Sequence, residues 1–381
     1  MKINIFKRME NVILKKYLRP PWLELIIMLA AVAVSFIGLS MISFLSQTPA
    51  AGGMGNGTIA LWLLAFFLLS FAIAMVAVLA GIGGGVIFTP VMMAFTPVNS
   101  VVIRATGLIV AMFSGLISTG IFMKKGLGNF RLCITLTVSQ GIGALIGAQT
   151  AIVAASAFGD TGEGVIRIIL GGILLAVAVY FFAGGKKLEW PNIQKVDAIT
   201  KWMGLEHTYY EESDNKIYSY KIARIVLGLI LVFGVGFLGG FFGMGAGWAL
   251  TPVQNLGLGV PLKVAAANSG IILGMVDCVA VWPYMLAGGI IPLFVLPWLS
   301  GQVVGGYLGA LALVKARVTV VRFILIGIMV FTSFGLVTDG LAKLNLMAKV
   351  PGHISLAVFL LVMVIDAFVL FRVQRKETGR K

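Results

Sequence analysis

The sequence predicts an all-α polytopic membrane protein: two inverted repeats of five segments with Gly-broken helices, plus one extra helix at each end. Three observations carry this reading. The chain is overwhelmingly apolar, its basic residues gather between apolar runs, and one glycine-rich phrase is written twice. Of 381 residues, 59% are hydrophobic and only 11% charged, and the mean hydropathy is +1.03. Soluble domains are not built this way. Apolar runs of about 18 residues or more, enough to cross a hydrocarbon core, recur along most of the chain. Barrel strands would be shorter and would alternate in polarity.

The elements follow in order. The N-terminus reads MKINIFKRMENVILKKYLRP and then turns apolar to about Leu45. That apolar run, about 25 residues, exceeds the roughly 7–15 of a signal peptide. An uncleaved first membrane helix over 22–46, within a unit 1–58, is therefore expected. The first repeat, 59–183, holds segments at 59–80, 84–97, 102–123, 131–157 and 164–183. The second, 222–337, holds 222–242, 246–258, 265–287, 290–314 and 317–337. A last membrane helix over 353–371 and a basic tail make up 338–381. Residues 184–221 mix both charges with aromatics and read as a partly ordered cytoplasmic linker, not a catalytic domain.

The net charge of +15 does not indicate nucleic-acid binding, because no compact basic domain carries it. Lys7 to Arg19, Lys124/Lys125/Arg131, Lys186/Lys187, Lys315/Arg317/Arg322 and Arg372 to Lys381 should face the cytoplasm. Residues 47–58 carry no charge, and the 157–163 loop carries only Asp160 and Glu163. These should lie outside. The constraints agree if 84–97 and 246–258 each count as a crossing, with twelve segments and both termini cytoplasmic. If they re-entered instead, Lys124/Lys125 and Lys186/Lys187 would land outside. A run such as Val86–Pro97 is only about 18 Å long as a helix, so it should be a half-length helix flanked by turns inside the protein.

The repeated phrase is AGIGGGVIFTP at 80–90 and FGMGAGWALTP at 242–252. An offset of 162 carries Gly81, Gly83, Gly85, Thr89 and Pro90 onto Gly243, Gly245, Gly247, Thr251 and Pro252. The same offset relates Val98/Val260, Ala105/Ala267, Met123/Met285, Gln140/Gln302, Gly143/Gly305 and Gly147/Gly309. Each unit has an odd number of segments, so the two sit upside down relative to each other. Inverted repeats with Gly/Pro-interrupted helices at matching positions point to a secondary transporter and its substrate site.

Glycines let a helix break and a neighbouring backbone approach. The freed N–H groups of the next half-helix need partners, and a bound anion is one. Gly83, Gly84, Gly85, Gly245 and Gly247 are candidates for such a cradle, with Thr89 and Thr251 as hydroxyl donors. Plain packing through small residues is the rival explanation. Thr106 aligns with Asn268, followed by Ser269. These neutral groups can coordinate an oxyanion, or cap a helix start. Gln140 and Gln302 lie inside apolar segments, where an amide either donates to an oxyanion or bonds a neighbouring helix. Asp277 lies near the middle of 265–287, where ionisable residues are functional candidates. It is a candidate proton-coupling group or a charge partner of Arg104. Cys133 and Cys278 read as small buried residues, and His207 and His353 form no metal cluster. No cofactor and no metal are expected.

At these residues the chain resembles the TauE/SafE family of sulfite and organosulfur anion exporters. The likeness rests on Gly81 to Pro90, Gly243 to Pro252 and the A-x-A-x-N-S-like stretch Ala265 to Ser269, and covers about residues 60–337. The first unit departs from the second at Arg104-Ala105-Thr106-Gly107, where the Asn-Ser pair is absent. The resemblance implies movement of sulfite, or of sulfur-containing anions such as sulfonates and sulfoacetate, across the bacterial inner membrane. The partners expected are that small anion, membrane lipid and, for import, a coupling proton; a homodimer is compatible with the sequence. Alternating access between the two phrases is the leading mechanism. An interior negative by about 100 mV favours anion expulsion by roughly 2.3 kcal/mol per charge, so export needs no coupling ion. Import would need one. The rivals are a passive anion channel and a membrane enzyme or sensor, and no Ser/His/Asp or cofactor constellation supports catalysis.

Overall fold

A computed structural model describes residues 56–351, except 96–97, 158, 185–195 and 213–214, together with scattered helical positions of 354–368. The expected first membrane helix at 22–46, the basic N-terminus, Lys186/Lys187, His353 and the basic C-terminal tail lie outside the described residues. The chain divides into two units, residues 1–65 and 66–381. Of the first, residues 56–65 are described, and they are the opening turns of α1. Everything below concerns the second.

The first five helices are α1 (Asn56–Ala80), α2 (Gly85–Phe95), α3 (Ser100–Lys124), α4 (Phe130–Ala157) and α5 (Gly159–Gly184). A short α6 (Ala198–Trp202) and the strands β1 (His207–Glu211) and β2 (Lys216–Tyr220) come next. The remaining helices are α7 (Ile225–Phe242), α8 (Gly247–Pro252) running into a wide turn at Val253–Gly257, α9 (Leu262–Leu286), α10 (Pro292–Lys315) and α11 (Val318–Lys343). Seven of these are long and apolar enough to cross a membrane. The chain is an all-α polytopic membrane protein, with one antiparallel hairpin, β1–β2, in register His207 opposite Tyr220.

Several helices outrun their apolar segments. α3 begins at Ser100, with Asn99 accepting from Val101 N (2.8 Å) as its cap. α9 begins after Pro261, and α11 runs past residue 337 to Lys343. Polar termini form no part of a hydropathy signal, which is why the segments come out short.

The second five helices repeat the order of the first, and their contacts are reciprocal. α4 packs on α7, α5 on α11, and α3 on α9. A Cβ built on Gly143 or Gly147 would overlap the carbonyl of Phe233 or Phe237; on Gly305 or Gly309 it would meet that of Phe71 or Met75. The offset of 162 maps each contact onto its counterpart. α3 and α9 form the centre: every residue of Val102–Ala111 and of Leu262–Gly274 is buried. The outer face of α4 presents Ile134, Val138, Ile142 and Ile146, all exposed, as a lipid-facing surface requires.

The two glycine phrases meet at this centre. α1 stops at Ala80 and α7 at Phe242, because Gly81, Gly83, Gly243 and Gly245 take φ of 69°, 72°, 63° and 74°, a region open to glycine at little cost. A Cβ on Gly85 would overlap Met244 O, and one on Gly247 would overlap Ile82 O. Thr89 donates to Gly243 O (2.9 Å), and Thr251 Oγ1 lies 3.3 Å from Gly81 O. Each break is thus held by the hydroxyl of the other unit.

Gly141 and Gly143 give a direct contrast, since a Cβ at Gly141 meets open space. Gly247→Ala and Gly143→Ala should each cost roughly 2–3 kcal/mol through overpacking, seen as a lowered melting temperature in detergent. Gly141→Ala should be neutral or stabilising by up to about 1 kcal/mol.

Candidate functional site

Around the paired turns the two flanks differ. Beside the second phrase lies a continuous polar network. Thr251 Oγ1, whose proton goes to Gly81 O, lies 2.9 Å from Ser269 Oγ, which accepts from Gln254 Nε2 (3.1 Å). Asn268 Nδ2 donates to Gln254 Oε1 (3.0 Å), and Asn268 Oδ1 accepts from Asn129 N (2.8 Å). Cys133 Sγ lies 3.4 Å from the same oxygen. All of these side chains are buried. In an apolar medium such a set is stable only if its members satisfy one another.

The 196–220 segment closes over this network. Asn129 Nδ2 donates to Leu205 O (3.1 Å) and lies 3.4 Å from Tyr220 Oη. Burial pushes the Tyr220 hydroxyl above its ordinary pKa, against a smaller lowering from Asn129, so it stays protonated. Lys263 Nζ donates to Glu211 Oε1 (2.5 Å) and to Val314 O (2.8 Å), with both charged side chains at most 1% exposed. Lys125 pairs with Glu212 at 2.7 Å, and His207 Nε2 lies 3.2 Å from Gly126 O. Asp197 caps α6 and accepts from Arg224 N (2.5 Å). Partial burial raises its pKa, but the hydrogen bonds from Thr200 and Arg224 outweigh that and leave it below the ordinary value. Arg131 Nη1 reaches Gly204 O (3.5 Å), so Lys125, Arg131, Lys263 and the end of α10 share one end of the bundle.

The first phrase has a different flank. Thr106 donates to Val102 O (2.8 Å), one turn back in its own helix. Arg104 Nη1 donates to Phe241 O (3.2 Å), and the guanidinium sits 5.9 Å from the Phe241 ring centre. Among the described residues this flank holds a cleft of about 50 Å³ in place of a hairpin. It runs from Thr89 and Met244 at the turns out to Arg167, Asp339 and Lys349.

Between the flanks, Asp277 is buried with its carboxylate beside Gly245, and Oδ2 has no hydrogen-bond partner among the described residues. No ion pair joins it to Arg104 among the described contacts, because Arg104 reaches Phe241 instead. Gly84 N donates to Ser114 Oγ (3.3 Å), and a Cβ on Gly84 would overlap the Gln302 amide. Gln302 Nε2 donates to Ser70 O and Oγ, both 3.1 Å. Gln140 is fully buried with neither amide atom hydrogen-bonded among the described residues.

The structure thus gathers Gly83, Gly84, Gly85, Gly245, Gly247, Thr89, Thr251, Asp277 and Gln302 around the turns. Asn268 and Ser269 join Thr251 in one flank, and Thr106 lies on the other. Among the described residues no hydrogen bond joins Thr106 to Asn268, and neither caps a helix, since α3 and α9 begin six residues earlier. Sequence reasoning missed Gln254, Asn129, Lys263, Glu211, Asp339 and Lys349. Lys263 carried a readable signal as a lone charge at the edge of an apolar segment. Glu211 carried none, because in sequence it is one acid in a charged stretch.

A polytopic helical bundle with broken helices packed on each other at its centre is the architecture of a membrane transporter. The sequence matches the model of the family described as Sulfite exporter TauE/SafE over residues 65–336, and the chain belongs to that family. It is 26% identical over 271 residues to the "Probable membrane transporter protein YunE" of Bacillus subtilis (strain 168), covering 69% of this chain and 93% of that protein. No solved structure matches significantly.

Removing one partner of the Lys263–Glu211 pair leaves a buried charge unmatched. Glu211→Gln or Lys263→Met should each cost roughly 3–5 kcal/mol, and the double substitution less than the sum. Hydrogen exchange over 207–220 checks this, with faster exchange in the single variants expected.

Proposed function

We propose that the protein carries sulfite or a related sulfur-containing anion outward across the inner membrane by alternating access, the two units being inverted with respect to each other. One observation carries the reading: a reciprocal core has unequal flanks. The Thr89 side opens into a cleft, while the equivalent Thr251 side is filled by a satisfied polar network under a docked hairpin. Equivalent halves in unequal states are what a carrier caught at one end of its cycle requires.

Basic residues orient the molecule. The hairpin end carries Lys125, Arg131, Lys263 and Lys315, so it is taken as cytoplasmic, and the cleft as extracytoplasmic. The inner route then opens when the hairpin leaves Asn129 and Lys263. The side chains nearest the turns are neutral donors, Thr89 on one side and Thr251, Ser269 and Asn268 on the other, which suit an anion that must be released as readily as it is bound. A negative interior supplies the driving force, about 2.3 kcal/mol per charge at 100 mV.

Asp277 supports a second reading, proton-coupled import, because its buried carboxylate beside Gly245 can gain or lose a proton at the point where the units meet.

Purified protein in proteoliposomes tests both. Saturable sulfite flux driven by an imposed potential is expected, with counterflow of labelled anion, which a passive channel does not give. Asn268→Ala should lower the flux about tenfold or more. Bridging Lys125→Cys to Glu212→Cys with a bifunctional thiol reagent should arrest transport reversibly. Asp277→Asn should preserve efflux and leave it independent of pH; loss of pH-driven uptake in that variant would favour import instead.

A further inference from the structure

The cleft holds charges that the packing of the bundle does not require. Arg167, on α5, is only 4% exposed and forms an ion pair with Asp339 on α11, whose side chain is 26% exposed. Arg167 Nη2 also lies 3.5 Å from Met93 Sδ, and Lys349 Nζ donates to Met93 O at 2.8 Å. Two cations therefore converge on one residue of the broken helix α2, beside one carboxylate, Asp339, among the described lining residues. The same cleft is lined by Thr338 and Ser355 and walled by Phe331 and Phe334, and its floor is Thr89 and Met244. Its 50 Å³ compares with about 10–15 Å³ for one water, which is room for a small oxyanion.

From this geometry we infer that the cleft is an anion-binding site in which Arg167 and Lys349 hold a sulfur oxyanion and Asp339 competes with it for Arg167. The inference rests on the anion-transport reading and gives that reading a second station, outside the glycine turns. A guanidinium presents paired donors that fit a carboxylate and an SO₃ group alike, so the two acceptors exchange on one fork. With the anion present, Asp339 swings to water, to which its quarter exposure already gives access. With the anion gone, Asp339 closes back on Arg167, so the buried cation is never left alone. The carboxylate thereby speeds release and keeps the site from becoming a trap. Lys349, exposed at the mouth, adds attraction that salt screens.

Binding of sulfite and of sulfoacetate to the full-length protein in detergent, measured by calorimetry, tests this. Lys349→Gln should weaken binding roughly three- to tenfold, and the difference should shrink at high salt. Asp339→Asn should tighten binding several-fold and slow efflux from proteoliposomes, because the competitor is removed. A purely structural ion pair predicts the opposite sign for Asp339→Asn. Lys343→Gln, outside the cleft, controls for surface charge. Any other pattern in folded variants, when the wild type transports either anion, overturns the cleft site and leaves the transport reading standing. Absence of flux of either anion by folded wild type overturns the transport reading itself.

Discussion

The fold hangs on one constraint: two helices break inside an apolar medium, and the broken ends must satisfy each other. Hydrocarbon offers no hydrogen bonds, so the carbonyls of Gly81 and Gly243 accept from Thr251 and Thr89 of the opposite unit. That reciprocity demands backbone-to-backbone approach, and glycine at 85 and 247 permits it. The packing and site explanations of the glycines are therefore not rivals. Close packing is what exposes a helix terminus at the centre without burying an unmatched group.

Around that centre the two units have diverged in what they place on equivalent scaffolding. Where the first unit has Thr106 and Gly107, the second has Asn268 and Ser269, which extend a network through Gln254 to Asn129. Where one flank has a hairpin, the other has a cleft. Gln302 bonds Ser70; the 162 offset carries Ser70 onto Val232, which has no polar side chain to offer, and Gln140, the counterpart of Gln302, has no hydrogen bond among the described residues. The scaffold is shared, and the chemistry is local.

The buried charges mark where the molecule meets water-accessible space. Lys263 with Glu211, and Arg167 with Asp339, stand at opposite ends of the bundle. Lys263 of α9 is joined to the hairpin through Glu211, and Arg167 of α5 is joined to α11 through Asp339. Buried ion pairs contribute little net stability compared with apolar packing.

The sequence by itself determined the membrane class, the helices and the two matching breaks. These follow from local signals: apolar runs longer than a bilayer needs, glycines where φ must turn positive, and an offset that carries Thr89 onto Thr251 and Gln140 onto Gln302. The paired glycine phrases were legible as helix breaks because their composition is wrong for an uninterrupted helix. What only the tertiary structure decided was partnership. Lys263 and Glu211 are far apart in the chain, Arg167 and Asp339 farther still, and no periodicity links them. Thr106 and Asn268 align in sequence yet serve different flanks, because alignment records equivalence within each unit and not proximity between them. Hydropathy and backbone geometry are properties of neighbours along the chain; a binding surface belongs to neighbours in space.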